Sequence, residues 1–178
     1  MDKIHSLRLE LISMSPDFLE ACLQDDLESA SRMIGLSLSR EWLGMKWLME
    51  LRLKQIRENP LLELWVLRAI GLRETKTMIG HIGFHTLPGA EYLKPYAPDS
   101  VEFGYNVFPK YRRMGYASEA VQALMDWATR EHAVTRFVVS IEPANLPSLG
   151  LAQRFGFRKV DTVTDDKGGV EDVFLREA

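Results

Sequence analysis

The sequence is poor in cysteine: Cys22 stands alone in 178 residues. A lone thiol closes no internal disulfide and has no companions at metal-ligand spacing, so a buried structural thiol is the expected role. No apolar run approaches the roughly 20 residues that cross a bilayer, so no membrane partner is expected. The start, Met1-Asp2-Lys3-Ile4-His5, lacks the apolar stretch and small-residue cleavage site of a secretory leader, which makes the cytoplasm the expected address. An excess of charge of one sign is missing too. The 22 Lys and Arg against 25 Asp and Glu leave a net charge of −3, without the basic field that a nucleic-acid partner calls for. No repeat, low-complexity tract or linker divides the chain, so residues 1–178 are expected to form a single domain.

What is present is ordinary for a globular α/β protein, with 46% hydrophobic and 26% charged residues. Leu7-Arg8-Leu9-Glu10-Leu11 alternates apolar and polar, the pattern of a half-buried first strand. Ser15-Pro16 starts a helix that carries Phe18, Leu19, Cys22 and Leu23 at helical spacing. A second helix is expected from about Ser39 to Glu58, with Trp42, Leu43, Trp47 and Leu51 as its apolar residues and Asn59-Pro60 as its end. Strands follow over Leu62–Ile70 and Thr77–Leu87, joined by a turn containing Gly71 and Arg73-Glu74-Thr75-Lys76. Pro88–Ser100, with three prolines and with Tyr92 and Tyr96, is a loop able to wall a pocket or to form a dimer contact.

Val101–Phe108 returns to strand, and a helix runs from Ala117 to about Glu131 with Ala117, Ala120, Val121, Leu124 and Ala128 on one stripe. Phe137–Ile141 is a near-continuous apolar run, as for a strand covered on both faces. Strand, helix, strand makes a βαβ unit with parallel strands. Asn145 is placed to cap a short helix that Gly156 closes. Strands over Phe157–Val163 and Val170–Leu175 flank the turn Asp165-Asp166-Lys167-Gly168-Gly169. The expected fold is α/β (α+β), a mixed central sheet of about seven strands with flanking helices.

The informative segment lies inside the βαβ unit, Val107-Phe108-Pro109-Lys110-Tyr111-Arg112-Arg113-Met114-Gly115-Tyr116-Ala117. The first backbone N–H groups of a helix lack internal partners and the helix dipole adds positive potential, so this turn suits a phosphate or pyrophosphate. Gly115 and Ala117 let an anion approach the backbone, and Lys110, Arg112 and Arg113 add charge. A nucleotide P-loop would need Gly-Lys-Ser/Thr, and a dinucleotide fingerprint Gly-x-Gly-x-x-Gly; both are absent. The residues alone indicate a phosphorylated ligand, or else a solvated basic turn.

Arg112-x-x-Gly115-x-Ala117 resembles the signature of the GNAT superfamily of N-acetyltransferases, Arg/Gln-x-x-Gly-x-Gly/Ala. The resemblance runs along nearly the whole chain and in order. Arg8-Leu9-Glu10-Leu11 is similar to that family's first strand, and Gly80-His81-Ile82-Gly83-Phe84 to its third. Glu102-x-Gly104-Tyr105-x-Val107-x-Pro109 is similar to the fourth strand. Asn145-x-x-Ser148, ahead of Phe155-Gly156-Phe157, resembles the region after the fifth. The Asn-x-x-Ser element and the Gly-Tyr-Ala-x-Glu-Ala helix start look most like the branch containing ribosomal-protein alanine and serine N-terminal acetyltransferases. That branch also holds enzymes for small amines.

The resemblance implies acetyl-CoA as cosubstrate, no metal, and an acceptor that is a protein N-terminus or a small-molecule amine. It also implies roles for individual residues. The backbone N–H of Val107 would polarise the thioester carbonyl, a donor worth roughly 3 kcal/mol of barrier. The N–H groups of Arg112, Arg113, Met114, Gly115, Tyr116 and Ala117 would hold the pyrophosphate. Asn145 would bond the pantetheine arm, where a plain helix cap would look the same. Ser148 would assist the departing thiolate, or else bond its own backbone. Ala152 stands where many relatives carry a tyrosine acid, which leaves Ser148 or water as the substitute.

The base that takes the amine's proton has three candidates besides water. Glu102 occupies a position where relatives often carry a catalytic or water-positioning glutamate, and is otherwise an edge-facing charge or a salt-bridge partner. His81 and His85 share one face of the third strand by its period of two. The function expected is acetyl transfer by direct attack of an amine on the thioester. The rival is a non-catalytic acyl-CoA sensor or interaction module, and the protein is expected as a monomer or homodimer.

Overall fold

A computed structural model of the chain describes residues 1–164 and 168–177. Among the described residues eight strands form, against about seven expected, and Asp165-Asp166-Lys167 of the last expected turn lie outside them. The chain falls into two compact units interleaved in sequence: Met1–Gly83 with Tyr105–Asp126, and Phe84–Gly104 with Trp127–Ala178.

The first unit opens with β1 (Lys3–His5) and β2 (Leu9–Ser13), antiparallel neighbours. β2 is buried at all five positions, so the alternation read at Leu7–Leu11 misplaces the strand, and Leu7 is exposed. Burial penalises the Glu10 carboxylate, and Lys76 at 2.8 Å and Lys3 at 3.6 Å together outweigh that cost, so its pKa lies below the ordinary value. Helix α1 (Pro16–Leu23) begins at Ser15, whose hydroxyl accepts from the Phe18 N–H, and buries Phe18, Leu19, Ala21 and Cys22. Cys22 is a buried thiol as expected, and burial raises its pKa, partly offset by the Trp42 indole N–H at 3.3 Å.

Helix α2 (Leu27–Ile34), capped by Asp26, was not foreseen. The single helix expected over Ser39–Glu58 is two, α3 (Arg40–Leu43) and α4 (Lys46–Glu58), interrupted at Gly44-Met45. The buried face also differs from the expected one. Trp42 is fully buried, whereas Trp47 and Leu51 face out and Leu48, Met49, Arg52, Leu53 and Ile56 face in. Pro60–Leu64 is a 3-10 turn started by the Asn59 side chain, so the strand expected from Leu62 begins later, as β3 (Arg68–Leu72). Gly71 lies within β3, and β4 (Thr77–Phe84) pairs antiparallel with it.

The strand β5 (Val101–Val107), the turn after it and the start of α5 (Tyr116–His132) match their expected places closely. In the second unit β5 runs parallel to β6 (Arg136–Ile141), with Val101 opposite Phe137 and Glu102 opposite Val138, as the βαβ reading requires. Helix α6 (Leu146–Arg154) follows its Asn145 cap. Strands β7 (Arg158–Thr164) and β8 (Val170–Glu177) are antiparallel, and β8 also pairs antiparallel with β6, so the sheet is mixed. Leu93, Val138 and Val173 pack together, flanked by Tyr96, Val163 and Leu175. Phe103 meets Phe84 and Phe157 edge-on at 6.2 and 6.1 Å. Among the described residues no helix is long and apolar enough to cross a membrane.

Candidate active site

Three local arrangements carry the residues singled out in the sequence. The first is the turn between β5 and α5. The Phe108 N–H bonds Ile79 O at 2.8 Å, then Pro109–Tyr111 makes one 3-10 turn that Arg112 leaves in an extended conformation. Arg113 and Gly115 both have positive φ, +61° and +82°, which turns successive N–H groups toward one side of the chain. The Gly115 carbonyl accepts from the Glu119 N–H at 3.1 Å, so the helix begins there. From Arg113 to Ser118 no backbone N–H donates to another described residue. A run of unpartnered donors at a helix N-terminus, with no side chain on Gly115, fits an anion of pyrophosphate size.

Two arginines hold this turn. Arg112 Nε donates to Val107 O at 2.8 Å and a terminal nitrogen reaches Asn106 Oδ1 at 3.4 Å. Arg8 lies over the Tyr116 ring, 4.5 Å from its centroid, and bonds Met114 O at 3.1 Å. Its Nε meets Glu119 Oε2 at 2.7 Å, while its backbone N–H and the Ser6 hydroxyl reach Oε1 at 2.7 and 2.8 Å. Burial pushes the Glu119 carboxyl up, but these donors outweigh it and hold its pKa below the ordinary value. A charge at the first turn of α5 is thereby fixed in place. The sequence reading assigned no part to Ser6 or Arg8 here, and nothing in local spacing points from residue 8 to residue 119.

The second arrangement surrounds Glu102 on β5. Its side chain is buried. Ser140 Oγ donates to Oε1 at 2.5 Å, Tyr92 OH donates to Oε2 at 2.9 Å, and His85 Nδ1 lies 3.1 Å from Oε2. The His85 backbone N–H also bonds Glu102 O at 2.8 Å. Burial raises the Glu102 pKa, but His85 foremost, then Ser140 and Tyr92, bring it below the ordinary carboxylate value. Tyr96, the other loop tyrosine, donates to Asp161 at 2.9 Å. Burial and that carboxylate raise its pKa. Ser140 was legible only as the one polar residue in the apolar run Phe137–Ile141.

His81 and His85 do not share a setting. β4 ends at Phe84, so His85 lies beyond the strand, while His81 is buried within it, its ring 5.7 Å from that of Trp42. Burial, then the charge of Arg52, lowers the His81 pKa to about 4, and its Nε2 has no hydrogen-bond partner among the described residues. An imidazole held so far below neutrality is a weak base for an ammonium.

The third arrangement is the start of α6. Asn145 Oδ1 accepts from the Ser148 N–H at 3.3 Å, the helix-cap geometry. Both residues are accessible at the helix start, and Ala152 is buried.

Residues 8–158 match the acetyltransferase (GNAT) domain family. Over 88 residues the chain is 32% identical to an uncharacterised N-acetyltransferase, YnaD, of Bacillus subtilis strain 168. That match covers 49% of this chain and 47% of the relative, so the chain spans about half the length of that curated protein. Two solved structures are similar over 99% of the chain at TM-scores of 0.67 and 0.68. One is an acetyltransferase from Salmonella typhimurium that modifies the N-terminal serine of ribosomal protein L7/L12, at 19% identity and 99% of its length. The other is RimL, a ribosomal L7/L12 alpha-N-protein acetyltransferase in complex with coenzyme A, at 20% identity and 98% of its length. At such identities the likeness is one of fold.

Proposed function

The chain belongs to the GNAT acetyltransferase family, and from that membership we propose that it transfers an acetyl group from acetyl-CoA to a primary amine by direct attack on the thioester. The observation that carries the reading is the run of backbone N–H groups from Arg113 to Ser118, which meet no acceptor among the described residues. The family match spans both compact units, which supports one N-acetyltransferase domain over the whole chain.

In this reading the N–H groups from Arg113 to Ala117 hold the pyrophosphate, while Arg112, whose own N–H is taken by Pro109 O at 3.3 Å, acts through the shape of the turn and its charge. The Val107 N–H stabilises the oxyanion that develops as the amine attacks. Asn145 bonds the pantetheine arm while capping α6, and Ser148 assists the leaving thiolate. The acceptor's proton leaves through the cluster around Glu102. Binding both substrates before chemistry makes catalysis chiefly positioning and charge stabilisation.

The acceptor is a protein N-terminus or a small-molecule amine. The ribosomal-protein acetyltransferases among the structural neighbours favour the first. A free α-amine, with a pKa of about 8, also needs less help in losing its proton than a lysine at about 10.4.

Calorimetry with CoA and acetyl-CoA, followed by thiol release with serine- and alanine-initiated peptides and with spermidine, tests the reading. Binding together with acceptor-dependent thiol release is expected. No binding at millimolar concentration overturns it, and binding without release from any acceptor points to an acyl-CoA sensor instead.

A further inference from the structure

Glu102 is in a poor position to act as a base by itself. Both its oxygens are engaged, Oε1 by Ser140 and Oε2 by Tyr92 and His85. Its side chain is only 8% exposed, against 38% for His85. A carboxylate that accepts three hydrogen bonds gives most of them up when it takes a proton.

We propose that His85, through Nε2, is the catalytic group that takes the acceptor's proton, and that Glu102 is a positioning residue that orients the imidazole. The proposal deepens the acyl-transfer reading and rests on it.

Three features of the geometry carry the assignment. The Glu102 carboxylate faces Nδ1, so Nδ1 carries the hydrogen and the lone pair stands on Nε2. The backbone bond from the His85 N–H to Glu102 O at 2.8 Å fixes the main chain of the same pair. Finally, Nε2 lies against Gly104 on β5, where a Cβ would come within 3.1 Å of it. A side chain there would press on the ring, which lies beside a half-buried stretch of strand two residues beyond Glu102.

Glu102, backed by Ser140 and Tyr92, orients the ring in the same way that a carboxylate orients histidine in hydrolytic triads. Tyr96, whose hydroxyl feels the Glu102 charge, and the Asp161 to which it donates are further titratable groups nearby.

The acceptor arrives as an ammonium and Nε2 removes one proton. The lone pair then forms the C–N bond as the C–S bond breaks, and the second amine proton passes to the thiolate. Amide and CoA thiol result, and the imidazolium returns its proton to solvent.

The test is thiol release from acetyl-CoA with a serine-initiated peptide and with spermidine, measured from pH 5.5 to 9 for wild type, His85→Gln, Glu102→Gln and Gly104→Ala. CoA calorimetry on each variant monitors the fold. His85→Gln is expected to lower kcat about 10²–10⁴-fold with unchanged CoA affinity, a loss that shrinks as the pH rises and more of the acceptor amine is already neutral. Glu102→Gln is expected to lower kcat less than His85→Gln does, with the KM for the acceptor and the CoA affinity unchanged, because the amide oxygen can still hold Nδ1–H. Gly104→Ala, which displaces the ring, is expected to lower kcat with CoA affinity retained.

A loss in Glu102→Gln of about 10²-fold or more, with His85→Gln within about threefold of wild type, overturns the assignment and makes Glu102 the base. Proton-detected ¹⁵N spectra of wild type at pH 8 showing the hydrogen on Nε2 also overturn it. If wild type binds CoA but releases no thiol with either acceptor, the acyl-transfer reading falls and this proposal with it. The three failures are distinguishable.

Discussion

Arg112 Nε donates to the carbonyl oxygen of Val107 at 2.8 Å. The bond ties the turn that precedes α5 back to the end of β5, the strand whose last N–H is the proposed oxyanion donor. A second contact, to Asn106 Oδ1 at 3.4 Å, uses the other side of the same guanidinium fork. A lysine at this position would keep the charge and lose the fork. Arg112→Lys and Arg112→Ala are therefore expected to weaken CoA binding by similar factors, roughly tenfold, the worth of one or two hydrogen bonds. Calorimetry checks this. Full affinity in Arg112→Lys would mean that charge alone is what the turn requires.

Gly115 has φ +82°, where a side chain costs about 1–2 kcal/mol, and an added Cβ would lie 3.3 Å from an Arg8 nitrogen. Gly115→Ala is thus expected to lower unfolding stability by about that amount, measured by urea denaturation, with a moderate loss of CoA affinity. Gly115→Glu carries the same strain and adds a carboxylate where the pyrophosphate approaches. The difference between the two variants isolates the anion. If Gly115→Glu binds CoA as well as Gly115→Ala does, the cradle has been assigned to the wrong ligand.

Both the βαβ segment and the turn within it were legible in the sequence. The apolar run Phe137–Ile141 and the stripe on α5 leave few alternatives, and a helix N-terminus that follows a strand has intrinsic anion chemistry. Segments where period and local breakers compete were not. Residues 39–58 look like one amphipathic helix, but Gly44 ends α3 and α4 starts again with a rotated face that leaves Trp47 in solvent. Leu62 to Leu64 carry strand-like side chains, yet Asn59 and Pro60 impose a 3-10 turn first. The Glu102 cluster joins His85, Tyr92 and Ser140 from three segments, and a spacing rule has no access to such long-range contacts. Asn145 was legible as a cap, and its proposed part toward CoA is an addition to that geometry.

Glu119 and Arg8 contribute unequally to the tie between the β1–β2 turn and α5. Glu119 accepts the Arg8 backbone N–H and the Ser6 hydroxyl besides the guanidinium, with a side chain 16% exposed. Glu119→Ala is expected to cost about 1–2 kcal/mol, the worth of charge-assisted bonds to partly exposed donors discounted for solvent screening. Arg8→Ala removes only a guanidinium that is 43% exposed and leaves the backbone bond in place. Its expected cost in denaturant melts is under about 1 kcal/mol. Equal costs for the two variants would show that the ion pair, not the backbone bond, holds α5.

The last prediction concerns acid. His81 is neutral in the fold, because burial and then the charge of Arg52 hold its pKa near 4. In the unfolded chain an ordinary imidazole titrates at about 6.5. Between those values the unfolded chain binds a proton that the folded chain refuses, so stability rises with pH across the window. The full contribution is present above pH of about 6.5 and falls away as the pH drops toward 4. Its total is at most on the order of 3 kcal/mol. Glu102 acts in a lower window. Its carboxyl is held below the ordinary 4.5, so its contribution is lost only as the pH falls beneath that value. Urea melts of wild type at pH 7, 6, 5 and 4.5 are expected to show a decline that His81→Phe largely removes. The variant itself is expected to be no less stable than wild type near pH 5, since a buried Nε2 without a partner among the described residues is replaced by an apolar ring edge. A wild-type decline that persists unchanged in His81→Phe would place the acid sensitivity on other groups.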